Sequence, residues 1–431
     1  MYRKIASFLE AWKESKHRKP LVLQGARQVG KTYSVLEFGR THYENVAYFN
    51  FETNPKLSET FEEDINPNYL IPLLSHIAGQ TIVTEKTLIV FDEVQLCERA
   101  LTSLKYFCED APDYHIVVAG SLLGVAVNRA KFSFPVGKVD MKTLYPMDIE
   151  EFMLACGEDG LVERIKKCFE EDTPLPAALH DAAMKCYREY LIVGGMPECV
   201  KQFVETKDYI LVRYTQDMIL TSYLNDMSKY NNLNEIKKTR LAYDNITVQL
   251  SKKNTRFQYK LIKKGGRASE FENAIEWLCL SGIVSQVYKV EQIKKPLENY
   301  RDIDTFKIYV SDLGLLCAKK DLAANDILYM VGELNDFKGG MTENYVNAQL
   351  SINGYQTYYW ESVRGAEIDF IIQRDGQLIP IEVKSADNTK AKSLSVYIET
   401  YKPAYAIKLS TKNFGFADGK KIVPLYAAFC I

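Results

Sequence analysis

The octet GARQVGKT at residues 25–32 satisfies the pattern GxxxxGK[ST], and it dictates the fold around it. Such a loop works only between a buried strand and the first turn of a helix. There its glycines let backbone amides turn toward phosphate, and the helix N-terminus adds its positive dipole end. Both flanks agree: Leu21, Val22 and Leu23 form a short apolar run before the loop, and a helical pattern begins near Lys31. Gly25, Ala26, Arg27, Gln28, Val29, Gly30, Lys31 and Thr32 are therefore read as ATP-binding residues. Lys31 reaches the β and γ phosphates, and the Thr32 hydroxyl is a ligand for Mg²⁺.

A second apolar run, residues 87–91, ends in two carboxylates. Asp92 at the strand tip is positioned to hold Mg²⁺ through water, and Glu93 to polarise the attacking water. A solvated strand-end carboxylate is the alternative for Glu93. The strand at residues 45–51 is expected between these two motifs in the sheet. The next run, residues 116–119, ends at Gly120-Ser121, where Ser121 serves as a γ-phosphate sensor, as a helix N-cap, or as both. Short apolar runs alternating with helical patterns predict an α/β fold with a mostly parallel, buried sheet.

At about 100 to 200 residues per domain, 431 residues suggest two to four domains. The pattern divides the chain into a P-loop core (1–147), a helical lid (148–232) broken at Gly194-Gly195-Met196-Pro197, a third unit (233–335) and a C-terminal α/β unit (336–431). In the third unit, helices are followed by strand-like runs at 283–290 and 306–310, which predicts a winged helix.

The segment AEIDFIIQRDGQLIPIEVKS, residues 366–385, reads as a hairpin about Asp375-Gly376, a preferred pair for a two-residue turn. Counting outward from Arg374 opposite Gln377 pairs Asp369 with Glu382 and Glu367 with Lys384, and these four polar groups fall on one face. Ile368, Phe370, Ile372, Ile379, Ile381 and Val383 fall on the other. Facing carboxylates repel unless a cation or proton lies between them. A divalent metal held by Asp369, Glu382 and Glu343 relieves the repulsion, with Glu343 coming from the core-facing side of an upstream helix. Such a metal would activate water while Lys384 stabilises the charge that develops. An ion-pair ladder built on Lys384 is the alternative.

With 54 Lys and Arg against 56 Asp and Glu, net charge identifies no partner. Residues 252–267 nevertheless hold Lys252, Lys253, Arg256, Lys260, Lys263, Lys264 and Arg267 with no acid, and with Phe257 and Tyr259 interleaved. That is either a phosphate-backbone surface or a solvated helix face. Nine cysteines without a CxxC pair argue against a disulfide framework or zinc ribbon, and fit a cytoplasmic protein. The opening residues read as an amphipathic helix, and no run is long enough to span a bilayer, so no membrane partner is expected.

Taken together, GARQVGKT, LIVFDEVQ (88–95), AGSLLG (119–124), LYPMDIEEF (144–152), GGMPE (194–198), RGAEIDFII (364–372) and PIEVKS (380–385) are similar to a bacterial and archaeal family. Its members are AAA+-type P-loop ATPases that carry a C-terminal uncharacterised PD-(D/E)xK nuclease-like domain. The resemblance implies an ATPase core, helical lid, winged helix and nuclease-like domain, with Asp369, Glu382 and Lys384 as the nuclease motif. Relatives usually carry Gly-Arg before the LYP segment, whereas this chain has Gly137-Lys138, with Arg129 nearby as a substitute trans-acting cation in a homo-oligomer. Three functions are open: an ATP-dependent machine associated with nucleic acid, DNA favoured; an ATP-gated switch or scaffold whose C-terminal domain binds a partner without cutting; and a DNA-binding regulator.

Overall fold

Strands with apolar residues on both faces belong inside a sheet, and strands with one polar face belong at its edge. The computed structural model of this chain describes residues 1–128, 134–229, 233–252, 256–329, 335–385 and 392–431. Arg129 and Lys253 lie outside the described residues. Two compact units are present, Met1–Tyr145 with Leu280–Gly282, and Pro146–Cys279 with Ile283–Ile431.

The first unit holds a five-stranded parallel sheet of β1 (Leu21–Gln24), β2 (Asn45–Asn50), β3 (Thr87–Asp92), β4 (His115–Gly120) and β5 (Asp140–Thr143), in the order β2-β3-β4-β1-β5. This corrects the expected strand order. The strand after the P-loop helix does not separate the two nucleotide motifs; β4 does, pairing with β1 on one side and β3 on the other. Burial gives the reason. Every residue of β3 and β4 is buried, whereas β2 exposes Tyr48 and only partly covers Asn45, Val46 and Asn50. One core of this unit gathers Val22, Phe49, Val118 and Leu123 around the mutually contacting rings of Phe51, Phe61 and Phe91.

In the second unit, helices Ile149–Ala155, Asp159–Glu171, Ala177–Val193, Pro197–Thr206 and Tyr209–Lys229 follow one another. The break at 194–197 is a packing joint. An added Cβ on Gly195 would lie 1.9 Å from the Met147 carbonyl oxygen, and the Gly195 amide donates to Asp312 Oδ2 at 2.6 Å.

The remaining strands are β6 (Val284–Val290), β7 (Arg301–Val310), β8 (Tyr358–Glu361), β9 (Glu367–Arg374), β10 (Gln377–Val383), β11 (Ala406–Ser410), β12 (Gly415–Ala417) and β13 (Lys420–Pro424). They form one eight-stranded sheet in the order β12-β13-β11-β10-β9-β8-β6-β7. The β6–β7 ribbon is antiparallel, as its sequence predicts, but it does not stand free: β6 pairs in parallel with β8 through Tyr288 and Lys289. The β9–β10 register runs from Arg374↔Gln377 to Phe370↔Ile381, in line with the count made from the turn, where Asp375 and Gly376 both have positive φ.

His115, at the start of β4, is buried with the Tyr43 hydroxyl 2.7 Å from its Nδ1. Burial, then Arg18 and Lys13, push its pKa down to about 4. The unfolded chain therefore binds a proton that the folded unit refuses, and stability falls as pH drops from the ordinary histidine value toward 4. Chemical denaturation at several pH values is expected to show wild type losing up to about 3 kcal/mol relative to His115→Gln over that range. Parallel pH profiles for the two proteins would contradict this.

Candidate functional site

The P-loop bridges β1 and the helix Lys31–His42, and its geometry leaves little room for other residues. Gly25 has φ +146°, and an added Cβ would lie 2.1 Å from the Leu144 carbonyl oxygen, while the Leu144 amide donates to Gln24 O at 2.8 Å. Ala26 and Val29 are buried, Arg27 is half-buried and Gln28 is exposed at positive φ. The Lys31 ammonium donates to the loop's own Gly25 and Ala26 carbonyl oxygens at 2.9 and 2.8 Å. From the N-terminal segment, Arg3 donates to Val29 O and Tyr145 O, both at 2.8 Å, tying the loop to the segment that follows β5.

Opposite the loop, Asp92 is 4% exposed at the end of β3. Its Oδ2 accepts from the Thr32 hydroxyl at 2.9 Å and the Tyr48 hydroxyl at 2.8 Å, and its Oδ1 from the Glu93 amide at 3.0 Å. Glu93 follows at φ +52°, an uncommon conformation for a non-glycine residue and one that gathers at functional sites. Gln95 Nε2 donates to Glu93 Oε2, and burial raises the Glu93 pKa. Gln95 reaches that position because Gly120 has no side chain: a Cβ there would lie 2.1 Å from Gln95 Oε1. The register places Gln24 beside Gly120 and Asp92 beside Ala119, so the ends of β1, β4 and β3 bring residues 25–32, Ser121, Asp92 and Glu93 together. Ser121 is buried. Thr32 Oγ1 and Asp92 Oδ2, already adjacent hard-oxygen donors, fit a Mg²⁺ ion. Lys138 is on the surface, paired with Glu109 at 2.7 Å.

The C-terminal carboxylates also come together, around a cation that sequence reasoning did not anticipate. Lys307, on β7, is 1% exposed. Its Nζ lies 2.5 Å from Glu367 Oε1 and 3.3 Å from Glu343 Oε2, with the Tyr359 ring centroid 5.0 Å away. Glu343, on helix Asn335–Ile352, also accepts from the Tyr309 hydroxyl at 2.9 Å. Asp369 Oδ2 accepts from the Val383 amide at 2.7 Å, and Glu382 Oε1 lies 2.9 Å from Lys384 Nζ. Burial and the Glu343 charge push the Asp369 carboxyl well above the usual carboxylate range, against Lys307, the Val383 amide and Lys384. Burial works against the charge on Lys307, but Glu343, Tyr309, Glu367 and Asp369 override it and raise its pKa.

Glu343, Asp369 and Glu382 therefore share a site, but their oxygens are turned to ammonium groups, a phenol and an amide. The buried Glu382 Oε2 has no hydrogen-bond partner among the described residues. Among the described residues, no group of three or more His, Cys, Asp or Glu is arranged to hold a metal ion. The donor set does not fit a divalent metal as it stands. The cation inside the cluster is the buried Lys307, paired with Glu343 and Glu367.

Tyr48, Arg3 and Lys307 lay outside the motifs, and Gln95, the last residue of LIVFDEVQ, had been given no role. Lys307 left one trace, a single cation inside the apolar run TFKIYV, and Gln95 left another, two residues past Glu93. Arg3 and Tyr48 left none.

Residues 17–153 match the family described as AAA domain. Residues 184–326 and 338–428 match two domains of unknown function, DUF8612 and DUF4143. No curated protein matches. Among solved structures, the chain is similar to the Walker-type ATPase PABY2304 of Pyrococcus abyssi, at 13% identity and a TM-score of 0.44, covering 74% of this chain and 95% of that one. It is also similar to the ORC2 protein of Aeropyrum pernix in ADPNP-ADP complexes, at 12% identity and a TM-score of 0.35, covering 76% and 92%. The Thermotoga maritima RuvB Holliday junction branch migration motor matches at 14% identity and a TM-score of 0.29, covering 65% and 87%. At such distances the likenesses say nothing of this chain's substrates or partners. Among the described residues, no helix is long and apolar enough to cross a membrane.

Gly25→Ala introduces a Cβ that the Leu144 carbonyl cannot accommodate, so the loop must shift. Titration with a fluorescent ATP analogue is expected to show at least a tenfold loss of affinity, worth about 1.4 kcal/mol or more, with the circular dichroism spectrum retained. Wild-type affinity in this variant would refute the close approach.

Proposed function

We propose that this chain binds and hydrolyses ATP in its N-terminal unit and uses that cycle to act with nucleic acid, DNA favoured, through its C-terminal unit. One observation carries the first half: the Thr32 hydroxyl sits 2.9 Å from Asp92 Oδ2 across the strand ends, with Glu93 next along the chain. Loop amides and Lys31 bind the β and γ phosphates, Lys31 exchanging its carbonyl partners for phosphate oxygens. Thr32 and Asp92 would hold Mg²⁺, which would offset negative charge on the phosphates. Glu93, its proton affinity raised by burial, takes the proton of the attacking water, and Gln95 aims its carboxylate. Ser121 hydrogen-bonds the γ phosphate.

The second half rests on the basic segment. Arg256, Tyr259, Lys260 and Arg267 line a groove of about 600 Å³ with Phe257 and Gln258. Lys263 is partly engaged by Glu270 at 3.1 Å, and Arg256 donates to the Thr305 hydroxyl at 3.0 Å. The cations suit a phosphate backbone and the partly exposed Tyr259 ring suits a base, while Phe257 is buried against Phe306. In this reading residues 1–147 are the ATPase core, 148–232 a helical lid, 233–335 a winged-helix-like domain and 336–431 a PD-(D/E)xK-like domain. The protein is cytoplasmic and works as a homo-oligomer in which Lys138 or Arg129 faces a neighbour's ATP. The second reading, an ATP-gated switch whose C-terminal domain binds a partner and does not cut, is favoured by the buried Lys307 among the would-be ligands.

Steady-state and binding assays separate the nucleotide roles. Lys31→Ala is expected to lose ATP binding, while Glu93→Gln keeps binding and loses roughly 10²- to 10⁴-fold in turnover. Equal loss of affinity in both would contradict the assignment. For the nucleic-acid half, log affinity for DNA against log salt is expected to fall steeply. Changing Lys252, Lys260, Lys263 and Lys264 to Gln should flatten the slope by roughly 0.7–0.9 per lost contact. A salt-independent affinity would return the segment to a solvated face.

A further inference from the structure

Each acid that the sequence pairs for a metal already meets a donor of this chain through one oxygen, while Glu382 Oε2 has no partner among the described residues. Glu343 Oε2 receives Tyr309 and Lys307, Glu367 receives Lys307, Asp369 receives the Val383 amide, and Glu382 receives Lys384. Lys307 is the unusual member. It is a fully buried lysine in the middle of a strand, flanked by the buried Phe306, Ile308 and Tyr309, so its ammonium cannot turn out to solvent. Helix Asn335–Ile352 brings Glu343 to it from one element and β9 brings Glu367 from another, while the Tyr359 ring provides a negative face.

We infer that Lys307 is the resident cation of this carboxylate cluster, standing where a divalent metal would sit, so that the C-terminal domain works without metal and does not cleave phosphodiester bonds. A metal entering the cluster meets an ammonium that can leave only by breaking two ion pairs, both desolvated on the lysine side. A lysine ammonium carries no open coordination position, so it cannot deliver a metal-bound hydroxide to a phosphate. Lys384, which would otherwise stabilise charge developing on phosphate, is turned to Glu382. The cluster therefore ties β7, β9, β10 and helix Asn335–Ile352 together through its ion pairs and hydrogen bonds. This deepens the switch reading and does not depend on the ATP reading.

The test is run in a Lys31→Ala background, so that metal bound with nucleotide is not mistaken for metal bound here. Melting of the parent is expected to be unmoved by Mg²⁺ or Mn²⁺, and supercoiled and single-stranded DNA are expected to remain intact with either ion. Lys307→Met should lower Tm by roughly 5–10 °C, the cost of leaving buried acids without their cation, and Mn²⁺ should restore part of that loss. Lys307→Met/Glu343→Gln should recover stability without metal and lose the Mn²⁺ response. If Lys307→Met does not fold, the double variant and the parent still decide the matter. The inference is overturned by a saturable Mn²⁺ stabilisation of the parent that Asp369→Asn abolishes, by DNA cleavage that depends on Lys384, or by a Lys307→Met variant as stable as the parent.

Discussion

One oxygen, Asp92 Oδ2, joins the two halves of the nucleotide site. It accepts from Thr32, one residue inside the P-loop helix, and from Tyr48, on the neighbouring edge strand. Thr32 reaches it because β4 sits between β1 and β3 and sets their ends side by side, and Tyr48 because β2 pairs directly with β3. Remove that order and the loop, Asp92 and Glu93 no longer share a space. The supports follow from it: Gly120 clears room for Gln95, Gln95 fixes Glu93, and Arg3 fastens the loop's far side. Glu93 keeps a positive φ because a buried strand end on one side and Gln95 on the other hold it there.

The chain meets the problem of gathered carboxylates in two ways. In the N-terminal unit, Asp92 faces hydroxyl groups, which can release an oxygen to a cation without leaving a buried charge behind. In the C-terminal unit, Glu343, Glu367, Asp369 and Glu382 face Lys307 and Lys384, whose charges are part of the fold. Burying one member of an ion pair without the other costs several kcal/mol, about 3–5 by comparison with other proteins. The second cluster is thus a stable joint only while its lysines remain, and the first is open to exchange.

What the sequence made legible was set by the backbone. Residues 25–32 could be read because few residues fit the loop, and Gly25 shows why, with Leu144 against its α-carbon. The β9–β10 register could be read because Asp375 and Gly376 fix a two-residue turn and every later pair follows from it. What depended on distant pairing was not legible. The position of β4 between the two motifs was hidden by chain order, although its continuous apolar run, against the half-polar NVAYFN of β2, held the information. The joining of β6 to β8 crosses the stretch taken as a boundary, and no local pattern announces a parallel pair between segments so far apart in the chain. Lys307 escaped notice for the same reason: its partners come from another strand and a helix, and a lone lysine in an apolar run has no meaning until those are in place.

The central claim is that one carboxylate cluster is built for a metal and the other is closed by a lysine. Counting the Mn²⁺ ions bound per chain, by electron paramagnetic resonance in the presence of a non-hydrolysable ATP analogue, tests both halves at once. The account predicts a single tightly held ion that appears only with nucleotide and disappears in Asp92→Asn. A second ion, held without nucleotide and lost in Asp369→Asn, would contradict it.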